Sequence, residues 1–299
     1  AAGYRHTLAL ASDGSLWAWG HAVGDGTSDV RSTPTRIGSA TNWTSIAAGN
    51  RNSFAIKSDG TLWGWGLNDS GELGDGTTTQ RLSPIQIGSA TNWTSVTAGY
   101  RHTLALKADG TIWSWGHNST GELGDGTTNH RYAPAQIGSG TDWTSITAGS
   151  GYSLARKSGT FSSSPYLVQT VWAWGANGDG RLGDDSTTAR HVPTQTGIIN
   201  TWAYIETGEA HSLGIRTDGT LWAWGYNGFG QIGDNTNTNR LVATQIGSAT
   251  DWSFASLKGG EGHTVARKTD GTLWAWGYNA QGQLGDNSNT NRIVPTQIG

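Results

Sequence analysis

Residues 99–116 read GYRHTLALKADGTIWSWG, and this stretch holds the elements from which most of the chain is built. Two short apolar runs, HTLALK and TIWSWG, flank the pair Asp109-Gly110. An Asp-Gly pair between two such runs is a strong signal for a tight β-hairpin. The stretch therefore predicts two antiparallel strands. Its Arg-His pair and its two tryptophans are either a chemical site or part of the scaffold.

The same pattern recurs along the 299 residues, which favours the scaffold. The motif Trp-x-Trp-Gly occurs at 17–20, 63–66, 113–116, 172–175, 222–225 and 274–277. One further position of the repeat holds the remaining tryptophans, Trp43, Trp93, Trp143, Trp202 and Trp252. We expect these rings to pack in a core, because rings that bind a ligand or absorb light would not need a copy in every unit.

Each unit of about fifty residues contains the signals of four short strands. In the third unit these strands are TSVTAG, HTLALK, TIWSWG and PAQIG. Alternation along a strand places Trp113 and Trp115 on one face and Ser114 on the other, so large rings of one sheet can lie over small residues of the next. The pattern predicts an all-β fold, a β-propeller of about six four-stranded antiparallel blades with one blade per repeat. We assign 1–299 to a single propeller domain with repeats at about 1–38, 39–88, 89–138, 139–197, 198–247 and 248–299.

Composition excludes several classes of function. The chain contains no cysteine, so disulfides and thiolate chemistry are absent. A formal net charge of -3 makes nucleic acid an unlikely partner, and the lack of a long apolar run predicts no membrane insertion. We find no unrepeated set of nucleophile, base and orienting residue and no set of metal ligands. The sequence therefore predicts a protein that is not an enzyme, with no catalytic residues, no metal and no cofactor.

The segment GYRHTLALKADGTIWSWGHNSTGELGDGTT resembles the regulator of chromosome condensation repeat, in its bacterial tandem-repeat form, and the resemblance covers essentially the whole chain. It implies a propeller, usually of seven blades, that serves as an interaction platform. Six units are present here, and the first lacks about eight residues that correspond to SATNWTSI in the next. Either six blades close the ring with a depleted first sheet, or the units belong to a longer array; we favour six blades. We expect an extracellular or cell-surface location in a bacterium.

Two recurring positions imitate chemical sites. One is occupied by His6, Asn52, His102, Tyr152, His211 and His263. Because asparagine and tyrosine share this position with histidine, we expect hydrogen bonding in the scaffold and not acid–base catalysis or metal binding. The other position is an aspartate six residues before an arginine, as in Asp25 and Arg31, Asp75 and Arg81, Asp125 and Arg131, Asp184 and Arg190, Asp234 and Arg240, and Asp286 and Arg292. We expect the aspartate to cap a turn and the arginine either to close the loop or to bridge neighbouring blades.

Function should lie where the copies differ. The two residues before each His-type position are Tyr4-Arg5, Asn50-Arg51, Tyr100-Arg101, Ser150-Gly151, Glu209-Ala210 and Glu261-Gly262. Arginines in the first three repeats and glutamates in the last two predict a propeller mouth with a positive side and a negative side. Tyrosine and arginine often dominate protein interfaces, so we predict a protein-binding surface at Tyr4, Arg5, Arg51, Tyr100, Arg101, Glu209 and Glu261. A solvated rim with weakly paired charges is the alternative.

Two further regions differ between the copies. In the fourth repeat the hairpin is nine residues longer, and its segment FSSSPYL would present Phe161 and Tyr166 as an apolar contact. The loops after Trp-x-Trp-Gly carry Tyr226, Phe229 and Tyr278, which would stack on a sugar ring or pack on a protein. The sequence thus predicts a non-catalytic scaffold that binds an unknown protein through the mouth and the hairpin insertion. The alternative is a glycan-binding propeller of a secreted or cell-surface protein.

Overall fold

The computed structural model describes residues 1–159, 168–197, 201–254 and 256–299. Within these ranges the chain forms antiparallel β-strands and turns and no helix. The chain divides into two compact units, Ala1–Gly151 and Tyr152–Gly299. Each is considered by itself below, and the single-domain assignment stays a prediction.

The first unit contains twelve strands, of which the first eleven form three sheets. The first sheet consists of β1 (His6–Leu10), β2 (Leu16–Gly20) and β3 (Arg31–Arg36), in that order. The second consists of β4 (Trp43–Ala48), β5 (Asn52–Lys57), β6 (Leu62–Gly66) and β7 (Arg81–Gln86). The third consists of β8 (Trp93–Ala98), β9 (His102–Lys107), β10 (Ile112–Gly116) and β11 (Arg131–Gln136), and the unit ends with β12 (Trp143–Ala148).

The second unit repeats the same order of strands. Strands β13 (Tyr152–Gly159), β14 (Val168–Gly175) and β15 (Arg190–Gln195) lie side by side. The next sheet consists of β16 (Trp202–Thr207), β17 (His211–Arg216), β18 (Leu221–Gly225) and β19 (Arg240–Gln245). The last consists of β20 (Lys258–Gly259), β21 (His263–Arg267), β22 (Leu273–Gly277) and β23 (Arg292–Ile298).

The hairpin predicted at Asp109-Gly110 is present between β9 and β10. Its register pairs Leu106 with Ile112 and His102 with Gly116. Gly110 has a φ of +76°, and a Cβ at this position would lie 2.0 Å from the carbonyl oxygen of Thr141. Glycine is therefore required here for two reasons: its φ is positive, and the backbone of Thr141, two residues before β12, approaches closely.

The first sheet departs from the prediction of four strands per blade, because it has three. The stretch that forms β4 in the second repeat has only Ala1 and Ala2 as its counterpart in the first. Ala2 forms an isolated antiparallel bridge with Thr7. The first sheet as described therefore has one strand fewer than the sheets formed by β4–β7 and β8–β11.

The tryptophans form the cores between the sheets, as predicted. The second ring of five of the pairs is almost completely buried: Trp65, Trp115, Trp174, Trp224 and Trp276. The indole Nε1 of Trp115 donates to the carbonyl oxygen of Glu72 in the preceding repeat at 2.9 Å, and that of Trp65 donates to Val23 at 3.0 Å. These bonds and the rings themselves join neighbouring sheets within a unit. Truncating such a buried ring to alanine typically costs about 3–5 kcal/mol.

Candidate binding surface

The two variable regions of each repeat lie at the same end of its sheet, which we call the loop end. The residue after Trp-x-Trp-Gly donates its backbone N–H to the carbonyl of the residue before the His-type position. This bond joins His117 to Arg101 at 2.9 Å and Leu67 to Arg51 at 2.9 Å, and it joins Tyr278 to Gly262 at 2.8 Å. Nothing in the sequence indicated that the residues before the His-type position lie beside the loop after Trp-x-Trp-Gly. The structure shows that they are neighbours.

The loops at this end are held by the aspartate–arginine pairs, all six of which form. The Nε of Arg131 donates to Asp125 at 2.5 Å within one loop. Equivalent ion pairs join Arg31 to Asp25, Arg81 to Asp75, Arg190 to Asp184, Arg240 to Asp234 and Arg292 to Asp286. Burial acts to raise the pKa of the Asp125 carboxyl, but hydrogen bonds from Thr127 and Arg131 outweigh it and hold the pKa below its ordinary value. The predicted structural role is confirmed.

An asparagine at the centre of each complete loop was missed by the sequence reasoning. Asn118 is fully buried, and its Nδ2 donates to the carbonyl oxygens of Thr127 at 3.1 Å and Asn129 at 3.0 Å and to Asp125 at 3.2 Å. Its Oδ1 accepts from the backbone N–H of Leu123 at 2.9 Å. Equivalent residues are Asn68, Asn177, Asn227 and Asn279. The signal in the sequence was the recurrence of asparagine two residues after Trp-x-Trp-Gly.

Three of the His-type positions form hydrogen bonds between repeats, as expected for scaffold residues, whereas the side-chain Nδ2 and Oδ1 of Asn52 have no hydrogen-bond partner among the described residues. The Nε2 of His6 lies 2.8 Å from Ser53 Oγ, and the Nε2 of His211 lies 3.0 Å from Thr264 Oγ1. Tyr152 is buried at the same position and donates to the carbonyl oxygen of His211 at 2.6 Å. Burial lowers the pKa of His6 to about 4 and that of His211 to about 3, so both imidazoles are neutral near pH 7.

The mouth residues of the first unit form an exposed basic surface, which we call the cationic patch: Tyr4, Arg5, Arg51, Tyr100 and Arg101. Tyr4 is 63% and Tyr100 is 49% exposed. The guanidinium of Arg5 lies 5.5 Å from the ring centroid of Tyr4, and that of Arg101 lies 5.8 Å from that of Tyr100. In the part of the first unit that the structure describes, none of the three arginines forms an ion pair. Their charges are therefore available to a partner.

Successive pieces of the cationic patch are connected through the backbone. The N–H of Tyr4 donates to the carbonyl oxygen of Gly49 at 3.3 Å, directly before Asn50 and Arg51. A Cβ on Gly49 would lie 3.1 Å from the carbonyl oxygen of Gly99, which directly precedes Tyr100. The three arginines thus follow one another from repeat to repeat along one end of the unit, as the sequence spacing required.

Beside Arg101 lies a cluster that sequence reasoning did not identify. The Nδ1 of His117 is 2.6 Å from Glu122 Oε1, and the His117 ring lies against that of His130 with centroids 4.5 Å apart. Burial acts to raise the pKa of the Glu122 carboxyl, but hydrogen bonds from its own backbone amide and from His117 outweigh it and lower the pKa. At the same position in the second repeat, Glu72 is buried without a histidine at the position of His117, and burial raises its pKa.

The mouth residues of the second unit carry the opposite charge. Glu209 and Glu261 are both exposed at the loop end of their sheets. Partial burial raises the pKa of Glu209, and the negative charge of Glu261 raises it further, whereas Arg181 opposes the shift. The two carboxylates are therefore close enough to repel each other.

The aromatic residues proposed for glycan binding meet at the same loop end. The Phe229 ring lies 4.8 Å from that of Tyr278 and 5.9 Å from that of Tyr226, measured between centroids. Phe229 is 37% exposed and the two tyrosines are partly buried. The structure thus assembles the three rings into one cluster. Glycan binding by this cluster stays a prediction.

The hairpin insertion leaves the sheet at the opposite end. Strand β13 begins at Tyr152, which bonds to His211 at the loop end, and pairs with β14 as far as Gly159 and Val168. Eight residues of strand span roughly 25 Å, so Gly159 and Val168 lie at the end of this sheet opposite the loop end. Phe161 and Tyr166 lie outside the described residues.

Other kinds of site receive no support from the described ranges. They contain no group of three or more histidine, aspartate or glutamate side chains that could hold a metal ion. They also contain no helix with the length and hydropathy needed to cross a membrane. What the loop ends offer chemically is exposed charge, aromatic surface and hydrogen-bonding groups on a rigid framework.

Comparison with known proteins agrees with this architecture. The sequence profile of the Regulator of chromosome condensation (RCC1) repeat matches residues 13–56, 59–106, 109–156, 170–215, 218–267 and 270–299. The chain belongs to the RCC1 repeat family. A second profile of the same repeat matches 1–22, 43–72, 93–122, 202–231 and 254–283. The predicted family is confirmed.

Solved structures show the fold of the RCC1-repeat chain. Yeast RCC1 (Prp20) bound to Kap60 superposes with a TM-score of 0.84 at 22% identity, over 100% of this chain and 74% of that one. Human WBSCR16 gives 0.84 at 18% identity, over 99% and 80%. The fold is a β-propeller with six blades, one per repeat, as predicted. The ultraviolet-B receptor UVR8 of Arabidopsis thaliana is 28% identical over 130 residues, which are 42% of this chain and 29% of the receptor.

Proposed function

We propose that this RCC1-repeat chain is a non-catalytic scaffold that binds a partner protein through the cationic patch of the first unit. One contrast supports the proposal. Six arginines at the loop ends are each paired with an aspartate of their own loop. The three arginines of the cationic patch pair with no carboxylate within the described residues and are exposed. The arginines that hold the loops are therefore different residues from the arginines whose charge is open to a partner protein.

The chemistry of the patch favours an acidic surface on the partner. Arginine forms bidentate hydrogen bonds with carboxylates, and tyrosine supplies apolar area together with a hydroxyl. The tyrosines beside Arg5 and Arg101 hold each guanidinium near a ring face, which limits the side-chain freedom that is lost on binding. The exposed glutamates of the second unit would suit basic groups of a partner by the same reasoning.

One protein with this fold, Prp20, binds other proteins. One structure of Prp20 from Saccharomyces cerevisiae is described together with its binding properties to Gsp1p and histones, and another contains Kap60. These are partners of Prp20. For this chain they support only the general role of a propeller as a protein-binding platform, because fold alone does not fix the partner.

The test compares two sets of arginines. Replacing Arg5, Arg51 and Arg101 together by alanine should weaken the binding of a partner captured from the native source at least about tenfold, because central interface arginines often contribute more than about 1 kcal/mol each. Replacing the exposed Arg36 and Arg267 is the matched control and should leave binding unchanged. Both variants should keep the thermal midpoint of the wild type. Equal binding by the triple variant and the wild type would refute the proposal.

A further inference from the structure

At the loop end of the second unit, the aromatic cluster lies directly beside a glutamate. The N–H of Tyr278 donates to the carbonyl oxygen of Gly262 at 2.8 Å, and Gly262 follows Glu261 in the chain. A Cβ on Gly262 would lie 2.9 Å from Phe229 Cδ2 and 3.2 Å from Tyr278 Cβ. The backbone next to Glu261 is therefore packed against both rings, and a ligand on the exposed part of Phe229 would be within reach of the Glu261 carboxylate.

A second glutamate belongs to the same surface. The N–H of Glu209 donates to the carbonyl oxygen of Gly260 at 3.1 Å, and Gly260 directly precedes Glu261. Tyr226, the third ring of the cluster, donates its N–H at 3.0 Å to Ala210, the residue after Glu209. We call the two glutamates and the three rings the acidic aromatic site: Glu209, Glu261, Tyr226, Phe229 and Tyr278.

The negative charge of this site is not neutralised by the fold. Both glutamates are exposed, and neither forms an ion pair within the described ranges of the second unit. Arg181 lies near enough to Glu209 to oppose the rise of its pKa, but it forms its ion pair with Asp179. A cation placed beside Glu209 and Glu261 would relieve their mutual repulsion.

The fold of the loop does not require these side chains. The residue at the position of Phe229 is polar in the other four complete loops: Ser70, Thr120, Asp179 and Gln281. The position of the two glutamates carries no negative charge in the first four repeats, where it holds Tyr4, Asn50, Tyr100 and Ser150. Stability of the scaffold therefore does not explain Phe229 or the glutamates. Variable side chains on loops held by a rigid scaffold commonly serve in binding.

We propose that the acidic aromatic site binds an arginine side chain of a partner protein. The guanidinium group is planar, so it stacks on an aromatic face while its N–H groups form paired hydrogen bonds with a carboxylate. The methylene groups of the side chain are apolar and would lie on the remaining ring surface. Lysine carries the same charge but lacks this planar fork, so arginine is preferred. The site shares no residue with the cationic patch, so this proposal goes beyond the proposed function, and each can fail while the other holds.

Three blocked peptides test the charge and the shape of the ligand. They are Gly-X-Gly-X-Gly, in which X is arginine, lysine or citrulline, and citrulline keeps the shape of arginine without its charge. Calorimetric titration should give a Kd of about 1 mM or below for the arginine peptide, about threefold weaker binding for lysine and at least about tenfold weaker binding for citrulline. A lysine or citrulline peptide that binds as tightly as the arginine peptide would overturn the proposal. So would an arginine peptide without detectable binding.

A first pair of variants tests the carboxylates. Replacing Glu209 and Glu261 together by glutamine should weaken binding of the arginine peptide at least about tenfold, because both charged partners of the guanidinium are lost. The matched control replaces Asp29 and Asp69, two exposed carboxylates of the first unit, by asparagine. It removes the same number of charges and should leave the Kd unchanged.

A second pair of variants tests the rings. Phe229→Ser introduces the residue found at the same position of the second repeat and should weaken binding of the arginine peptide about threefold. Phe254→Ser changes another exposed phenylalanine of the second unit and should leave binding unchanged. All four variants should keep the thermal midpoint of the wild type. Arginine binding as tight in the glutamine variant or in Phe229→Ser as in the wild type would place the peptide elsewhere and contradict the proposal.

Discussion

The loop asparagine provides the sharpest test of how the loop ends are held. In Asn118→Ala, the loop loses two donated hydrogen bonds from Nδ2, which carries two hydrogens, and one accepted from Leu123. Each such bond contributes about 1 kcal/mol net, and the buried Leu123 N–H left without an acceptor adds about 1 more. We therefore expect a loss of about 3–5 kcal/mol in the free energy of unfolding, or about 6–20 °C in Tm for a unit of this size.

Two further variants make the result specific. Asn92→Ala changes a more exposed asparagine of the same repeat and should alter stability by less than about 0.5 kcal/mol. Asn118→Asp keeps the shape but replaces the donor by a carboxylate that faces Asp125 and two carbonyl oxygens. At pH 7 it should destabilise the protein at least as much as Asn118→Ala. Urea unfolding followed by tryptophan fluorescence measures all three, and an Asn118→Asp variant as stable as the wild type would refute the assigned hydrogen bonds.

Three other predictions concern the scaffold. Arg131→Ala should lower Tm without weakening partner binding, whereas Arg101→Ala should weaken partner binding without lowering Tm. Calorimetry and a binding assay on both variants decide between these roles. Because the pKa of His211 falls from 6.5 to about 3 on folding, its stabilising effect is complete above pH 6.5 and is lost as the pH falls towards 3, by up to about 1.4 kcal/mol per pH unit. His211→Asn, which introduces the residue found at the same position of the second repeat, Asn52, should flatten the measured pH dependence in that range, and an unchanged slope would contradict it. Tyr152→Phe should lower the free energy of unfolding by about 1–2 kcal/mol in urea, because its hydroxyl loses the bond to the His211 carbonyl, and no change would show that bond to be unimportant.

Sequence reasoning succeeded where a feature repeats or depends on neighbours in the chain. Asp109-Gly110 predicted a hairpin from local backbone preferences, and Trp-x-Trp-Gly predicted buried rings from its recurrence. The aspartate–arginine pairs also lie within one loop, so a constant spacing of six residues was enough to identify them. The same reasoning separated Arg101, which differs between copies, from Arg131, which does not.

It failed where contacts depend on the path of the backbone. Asn118 appeared only as a polar loop residue, because its acceptors lie seven to eleven residues further along a loop whose fold brings them together. Arg101 and His117 are sixteen residues apart and become neighbours only through the pairing of β9 with β10.

The sequence by itself determined the strands, the turns and the family, since hydrophobic alternation, glycine conformation and repetition are encoded residue by residue. Only the tertiary structure decided which charges are free and which donors are unused, because that depends on the groups that adjacent sheets bring together. The spacing in the sequence suggested that Arg31 pairs with Asp25, but only the structure shows their atoms 2.5 Å apart and Arg51 without an ion pair within the described residues.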